Sequence, residues 1–146
     1  MKRPSRGKNS KSTALALDRV LVVEDEPLLA MATEDTLRDA GVKHVDICQT
    51  TDGAMEVLRA AMPDAIILDV HLADRSDGWA IAELVEALGE HSPRIVFSTG
   101  APQDIPPEIA ELGSVLTKPY AAEALVAALR EPPRRGILSR LRGAIG

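Results

Sequence analysis

Five residues with chemical potential each follow or close a short apolar run. Residues 20–23 (Val-Leu-Val-Val) lead into Glu24, Asp25 and Glu26, and residues 65–68 (Ala-Ile-Ile-Leu) end in Asp69. Residues 94–97 lead into Ser98-Thr99-Gly100, and residues 114–117 into Lys118-Pro119. The unbroken apolar run at 65–68 reads as a strand buried on both faces of a parallel sheet, and the other three read as further strands of that sheet. A carboxylate inside such a strand costs several kcal/mol, so Asp69 belongs at its C-terminal end. That edge is where open α/β sheets bind ligands. Three carboxylates gathered there raise one another's pKa and call for a cation. Mg²⁺ suits them, since it takes oxygen ligands and keeps several waters. An Asp at the centre is also a nucleophile able to form an aspartyl-phosphate. Lys118 and Thr99 then supply positive charge and a hydroxyl to the phosphoryl oxygens.

The elements that must position these residues follow from pattern and punctuation. A strand over 19–24 is followed by Glu26-Pro27, which opens a helix running to about Ala40, with Gly41 as its C′ residue. A second strand covers 44–49. Thr51 or Asp52 caps a helix through Ala61, and Pro63 stops it. After the strand at 65–68, Asp77-Gly78 opens a helix with Ile81, Leu84, Val85 and Leu88 three and four apart. Pro102, Pro106 and Pro107 leave room for about one helical turn near 108–112 before the strand that begins at Gly113. A last helix spans 121–130. Five strands alternating with helices give an α/β doubly wound sheet.

Composition sets the bounds. The chain has 146 residues, 45% of them hydrophobic, which suits one domain with a proper core. No apolar run reaches the length of a membrane span, and the basic N-terminus lacks the apolar region of a secretory signal. Cys48 stands alone, which excludes an intrachain disulfide and a multi-cysteine metal site. A cytoplasmic protein is expected. The net charge of −5 is unevenly spread. Residues 1–13 hold five bases and no acid, and residues 131–146 hold four arginines against Glu131. Residues 14–130 carry 21 acids against eight bases. Such an acidic body attracts divalent cations and repels nucleic acid, so no direct nucleic-acid binding is expected. The domain plan is a basic disordered arm over 1–17, one folded domain over 18–130, and a basic Pro/Arg-rich tail over 131–146. In that tail Ile137, Leu138, Leu141 and Ile145 make a short amphipathic segment, with marginal affinity for an anionic membrane.

Each site residue alone has an ordinary reading: an Asp after a strand caps or turns, and Thr-Gly and Lys-Pro form loops. Their order carries the weight. The acidic pair precedes Asp69 by about 45 residues, Thr99 follows 30 later, and Lys118 19 after that. These motifs (Val22-Val23-Glu24-Asp25-Glu26, Ile67-Leu68-Asp69-Val70-His71, Phe97-Ser98-Thr99-Gly100, Leu116-Thr117-Lys118-Pro119) resemble the receiver domain of two-component response regulators. The resemblance covers about residues 18–130. It implies a flavodoxin-like five-stranded parallel sheet of order 2-1-3-4-5, flanked by helices; the fourth helix, curtailed by Pro106 and Pro107, departs from the family pattern. It also implies that Asp69 is the phosphoacceptor and that Asp25 and Asp69 ligate Mg²⁺ directly. Glu24 would act through water, and the His71 backbone carbonyl would complete the protein ligands. Thr99 and Lys118 would contact the phosphoryl oxygens, and the Lys118-Pro119 peptide would be cis.

The sequence departs from the family pattern in places. The loop after Asp69 is about one residue longer and lacks the usual proline. Val115 stands where an aromatic switch residue is expected, three before Lys118. With Phe97-Ser98-Thr99-Gly100, these departures resemble an atypical stand-alone subgroup bearing a Phe-Ala-Thr-Gly-like motif. The implied function is a single-domain response regulator. Its partners are a histidine kinase or histidine phosphotransferase and a downstream protein, and a homodimer is left open. It would catalyse only its own Mg²⁺-dependent phosphorylation and slow dephosphorylation. A phosphorylation-independent interaction module is the alternative, supported by Val115. A haloacid-dehalogenase-like hydrolase would want a second Asp two residues after the nucleophile, where His71 stands. His44 and His91 read as surface residues, and Trp79 as packing.

Overall fold

A computed structural model describes residues 14–70, 81–82 and 92–131. The five expected strands form one parallel sheet: β1 (Arg19–Val23), β2 (His44–Cys48), β3 (Ala65–Asp69), β4 (Arg94–Thr99) and β5 (Ser114–Thr117), in the order β2-β1-β3-β4-β5. This is the flavodoxin-like 2-1-3-4-5 sheet. The described helices are α1 (Pro27–Asp39), α2 (Thr51–Ala60), α3 (Pro107–Ala110) and α4 (Ala122–Arg130). A 3₁₀ turn at Pro102–Asp104 precedes α3, which is the shortened fourth helix of the sequence reading.

The strand alternation sorts the apolar side chains into two layers. Leu21, Val23, Ile66, Leu68, Ile95 and Phe97 face one side, packed with Ala54 and Leu58 of α2, the buried helical pair Ile81 and Ala82, and Ile109 of α3. Val20, Val22, Ala65, Ile67 and Val96 face the other, against Leu37 of α1 and Leu125 and Leu129 of α4. Every residue of β3 is buried, as a central strand covered on both faces requires.

Local boundaries show the chemistry that sets them. Helix α1 ends in a Schellman motif: Gly41 has φ of 105°, its N–H donates to the Arg38 carbonyl, and Val42 N–H donates to Leu37 O. Gly113 serves a different need, because a Cβ there would lie 2.2 Å from the Ile95 carbonyl oxygen. Helix α2 is capped by Thr50, not by Thr51 or Asp52 as the sequence suggested. Thr50 is the last extended residue, and its hydroxyl accepts from Gly53 N–H at 3.0 Å, whereas Thr51 is already helical and buried.

The N-terminal boundary also moves. An arm reaching residue 17 was expected, but Leu15 is buried in the α1/α4 layer and its N–H donates to the Ala40 carbonyl at 2.8 Å. Apolar burial at Leu15 outweighs the polar character of the residues before it. Just beyond, the Asp64 carboxylate accepts from Asp18 and Arg19 N–H at 2.7 and 3.0 Å and ties down the start of β1. The basic segments 1–13 and 132–146, and residues 71–80 and 83–91 with His71, Trp79, His91 and most of the helix expected after Asp77-Gly78, lie outside the described residues.

Candidate functional site

The sheet register decides how close the polar residues come. Val23 pairs with Leu68, Asp69 with Ser98, and Thr99 with Thr117. Glu24, Asp69, Thr99 and Lys118 therefore step across four adjacent strands at the same carboxyl edge, with about 4.8 Å between neighbouring strands. Glu24, Asp25 and Asp69 each offer a carboxylate oxygen, and these atoms lie within 4.8 Å of one another. Glu24 and Asp69 are buried and Asp25 is exposed, so the cluster opens to solvent on the Asp25 side. The Glu26 N–H donates to Glu24 Oε2 at 3.2 Å, which orients that carboxylate.

Lys118 reaches into the cluster from β5. Its Nζ lies 3.2 Å from Glu24 Oε1 and 3.5 Å from Asp69 Oδ1. The backbone holds it there: Lys118 N–H donates to the Thr99 carbonyl at 2.6 Å, and the Lys118-Pro119 peptide is cis, as expected. On the neighbouring strand the buried Thr99 accepts from Ala101 N–H at 2.9 Å through Oγ1. That bond uses an oxygen lone pair and leaves the hydroxyl hydrogen able to donate.

Electrostatics show an excess of negative charge. Burial pushes the Glu24 carboxyl above its ordinary value of 4.5. A hydrogen bond with Asp69 and its charge push the same way, against the Glu26 amide and Lys118. Burial by itself would lower the Lys118 pKa, but the charges of Asp69 and Glu24 and hydrogen bonds to both outweigh it, and the net shift is upward. One ammonium thus does not neutralise the buried pair. An all-oxygen donor set in which burial and a neighbouring carboxylate disfavour ionisation fits a hard divalent cation such as Mg²⁺.

Two participants escaped the sequence reading. Ser98 is buried beside Asp69 in the register, and its Oγ lies 3.5 Å from the Tyr120 hydroxyl. The Ser-Thr pair closing β4 carried the only local hint of it, and nothing in the spacing pointed to Tyr120. Val115 sits half-buried beside Phe97 in the register, packed against the layer that holds Ile105 and Ile109. His71, the expected backbone ligand, lies outside the described residues.

A family model for the response regulator receiver domain matches residues 20–130. The chain belongs to that family. Among curated relatives, this receiver is 34% identical over 125 residues to the transcriptional regulatory protein DltR of Streptococcus agalactiae, covering 84% of this chain and 54% of DltR. The chain thus spans about half the length of that relative. Among solved structures it is similar to SdrG from Sphingomonas melonis Fr1, with a TM-score of 0.66 and 32% identity over 79% of this chain and 95% of that one. It is also similar to the response regulator PhyR from Brucella abortus, with a TM-score of 0.64 and 26% identity, covering 97% of this chain and 56% of PhyR. Among the described residues of the receiver, no helix is long and apolar enough to cross a membrane.

Proposed function

We propose that the protein is a cytoplasmic response regulator whose receiver domain takes a phosphoryl group onto Asp69. The donor is a phosphohistidine on a histidine kinase or histidine phosphotransferase. An Asp69 carboxylate oxygen forms the new P–O bond as the P–N bond to the donor imidazole breaks, and the imidazole leaves with the bonding pair. Hydrolysis later returns Asp69 and releases inorganic phosphate. Asp25 and Asp69 would hold Mg²⁺ directly, with Glu24 through water and the His71 carbonyl as a further ligand. The bound ion supplies charge neutralisation to the carboxylates and to the transferring phosphoryl oxygens.

The chain's own residues divide the remaining work. Lys118 is anchored by its amide to the Thr99 carbonyl and balances the charge that builds on the phosphoryl oxygens. Thr99 donates its hydroxyl hydrogen to one of those oxygens while Ala101 N–H fixes the position of its Oγ1. The Glu26 amide keeps Glu24 turned toward the cluster. Phosphorylated protein then signals by contact with a further protein, or acts as a phosphate shuttle or sink. The observation that carries this reading is the Lys118 ammonium within 3.5 Å of a buried Asp69 that shares a carboxylate cluster with Glu24 and Asp25.

Phosphate-affinity electrophoresis with acetyl phosphate and Mg²⁺ tests it: a retarded band is expected for the wild type and none for Asp69→Asn. A phosphorylation-independent interaction module is the second reading, favoured by Val115 at the expected aromatic position. It requires Asp69→Asn to keep full biological activity.

A further inference from the structure

The α1/α4 side of the sheet carries an apolar groove that begins at Lys118 and runs away from the carboxylate cluster. Two adjoining cavities, which share Thr36 and Ala122, line up between these helices. The first, of about 480 Å³, is walled by Leu29, Tyr120 and Leu125, with Lys118 at its site end. The second, of about 370 Å³, is walled by Val126 and by the carboxylates of Asp39 and Glu123, with Arg130 at its far end. Leu29 on the groove's α1 wall is 40% exposed, and a groove with large apolar side chains open to solvent marks a surface that something covers.

Three properties narrow the occupant. Charge is the first: residues 14–130 hold 21 acids against eight bases, so a second copy would bring acid against acid. Position is the second. Helix α4 ends at Arg130, which lines the second cavity, and Glu131-Pro132-Pro133 breaks the helix there. Length and pattern are the third. On a helix, Ile137, Leu138, Leu141 and Ile145 fall within an arc of about 100°. Residues 134–145 as a helix would span about 18 Å, close to the roughly 20 Å of α1. The four arginines of that segment complement Asp39 and Glu123.

We propose that residues 134–145 of this chain dock in the α1/α4 groove. The apolar side chains fill the two cavities, and arginines pair with Asp39 and Glu123. This inference stands apart from the phosphoryl chemistry, and its test needs no phosphorylation.

The test is amide NMR on the full chain, comparing wild type with the double variant Leu138→Asp/Leu141→Asp. Resonances of Leu29, Thr36 and Val126 should move while those of the β3 and β4 strands stay in place, which shows that the fold is intact. A peptide of residues 134–146 added to the double variant should return the groove resonances toward their wild-type positions. Asp39→Lys/Glu123→Lys should release the segment, and adding Arg140→Glu/Arg142→Glu should restore it. Identical groove resonances in wild type and the double variant would overturn the proposal. So would groove resonances that depend on protein concentration, which assign the groove to a second copy. Binding to anionic vesicles that is lost in the double variant, with the groove resonances unmoved, would instead assign the segment to a membrane.

Discussion

The carboxyl edge of the sheet and the region around β5 and α3 lie side by side, yet they keep the receiver pattern to different degrees. At the edge the full set of Glu24, Asp25, Asp69, Thr99 and Lys118 is present; its three carboxylates lie within 4.8 Å of one another, and its ammonium pairs with Glu24 and Asp69. Within β5, three residues before Lys118, Val115 replaces the expected aromatic, and next to it α3 shrinks to Pro107–Ala110. The contrast separates two kinds of demand. Phosphoryl chemistry needs particular charges at particular distances and tolerates no substitute. A readout region needs only a packed surface that responds, and Val115 packed with Phe97 and Ile105 is a different solution from a rotating ring. The site is therefore expected to work with its usual chemistry, and the signal to leave it by another route.

Three substitutions and one titration probe that division. The largest effect is expected for Lys118→Ala, which removes the ammonium between Glu24 and Asp69. Its phosphorylation rate with acetyl phosphate should fall on the order of 10²-fold in a stopped-time gel assay. An undiminished rate would place the charge stabilisation elsewhere. On the other side of the comparison, Gly113→Ala should leave the chemistry to the residual folded protein but destabilise it by about 3 kcal/mol in urea unfolding. The new Cβ would meet the Ile95 carbonyl oxygen at 2.2 Å, and backbone must shift to admit it.

The electrostatic excess at the edge makes a smaller prediction with a definite sign. Glu24 holds its proton more tightly folded than unfolded, because burial and Asp69 raise its pKa above 4.5. Its contribution to stability is full below that ordinary value and is lost as pH rises through the raised one. Lys118, whose pKa is also raised, stays charged throughout this window and loses its contribution only above its ordinary 10.5. Without Mg²⁺, the melting temperature of the wild type should thus fall more steeply as pH rises above 4.5 than that of Glu24→Gln. Added Mg²⁺ should remove the difference. Equal slopes without metal would show that the cluster is not short of positive charge. The smallest effect is expected for Val115→Tyr, which should change the phosphorylation rate by less than about twofold and stability by less than about 1.5 kcal/mol. A large gain in rate would tie the chemistry to the ring after all.

Much of this was legible before any coordinates, and the reason is physical. A carboxylate, hydroxyl or lysine closing a largely apolar strand sits where the strand meets solvent at the carboxyl edge, so Asp69, Thr99 and Lys118 could be placed together from their strands alone. The sheet order came with the family resemblance and not from periodicity. The Gly41 terminus of α1 was readable because a left-handed residue after a helix favours glycine. What escaped depends on contacts between distant residues. Leu15 against Ala40, Asp64 holding the start of β1, and Tyr120 beside Ser98 have no signature in their neighbours along the chain. Thr50 was missed for a finer reason: three successive polar residues, Thr50, Thr51 and Asp52, can each cap a helix, and only the backbone decides which one does.

The measurement that tests the central claim most directly is phosphate-affinity electrophoresis of wild type and Asp69→Asn, each with and without Mg²⁺, using acetyl phosphate and then a competent histidine kinase as donor. A retarded band that appears only with Mg²⁺ and only in the wild type is the predicted result. An unretarded wild type with both donors, or an Asp69→Asn protein retarded to the same extent, would contradict it.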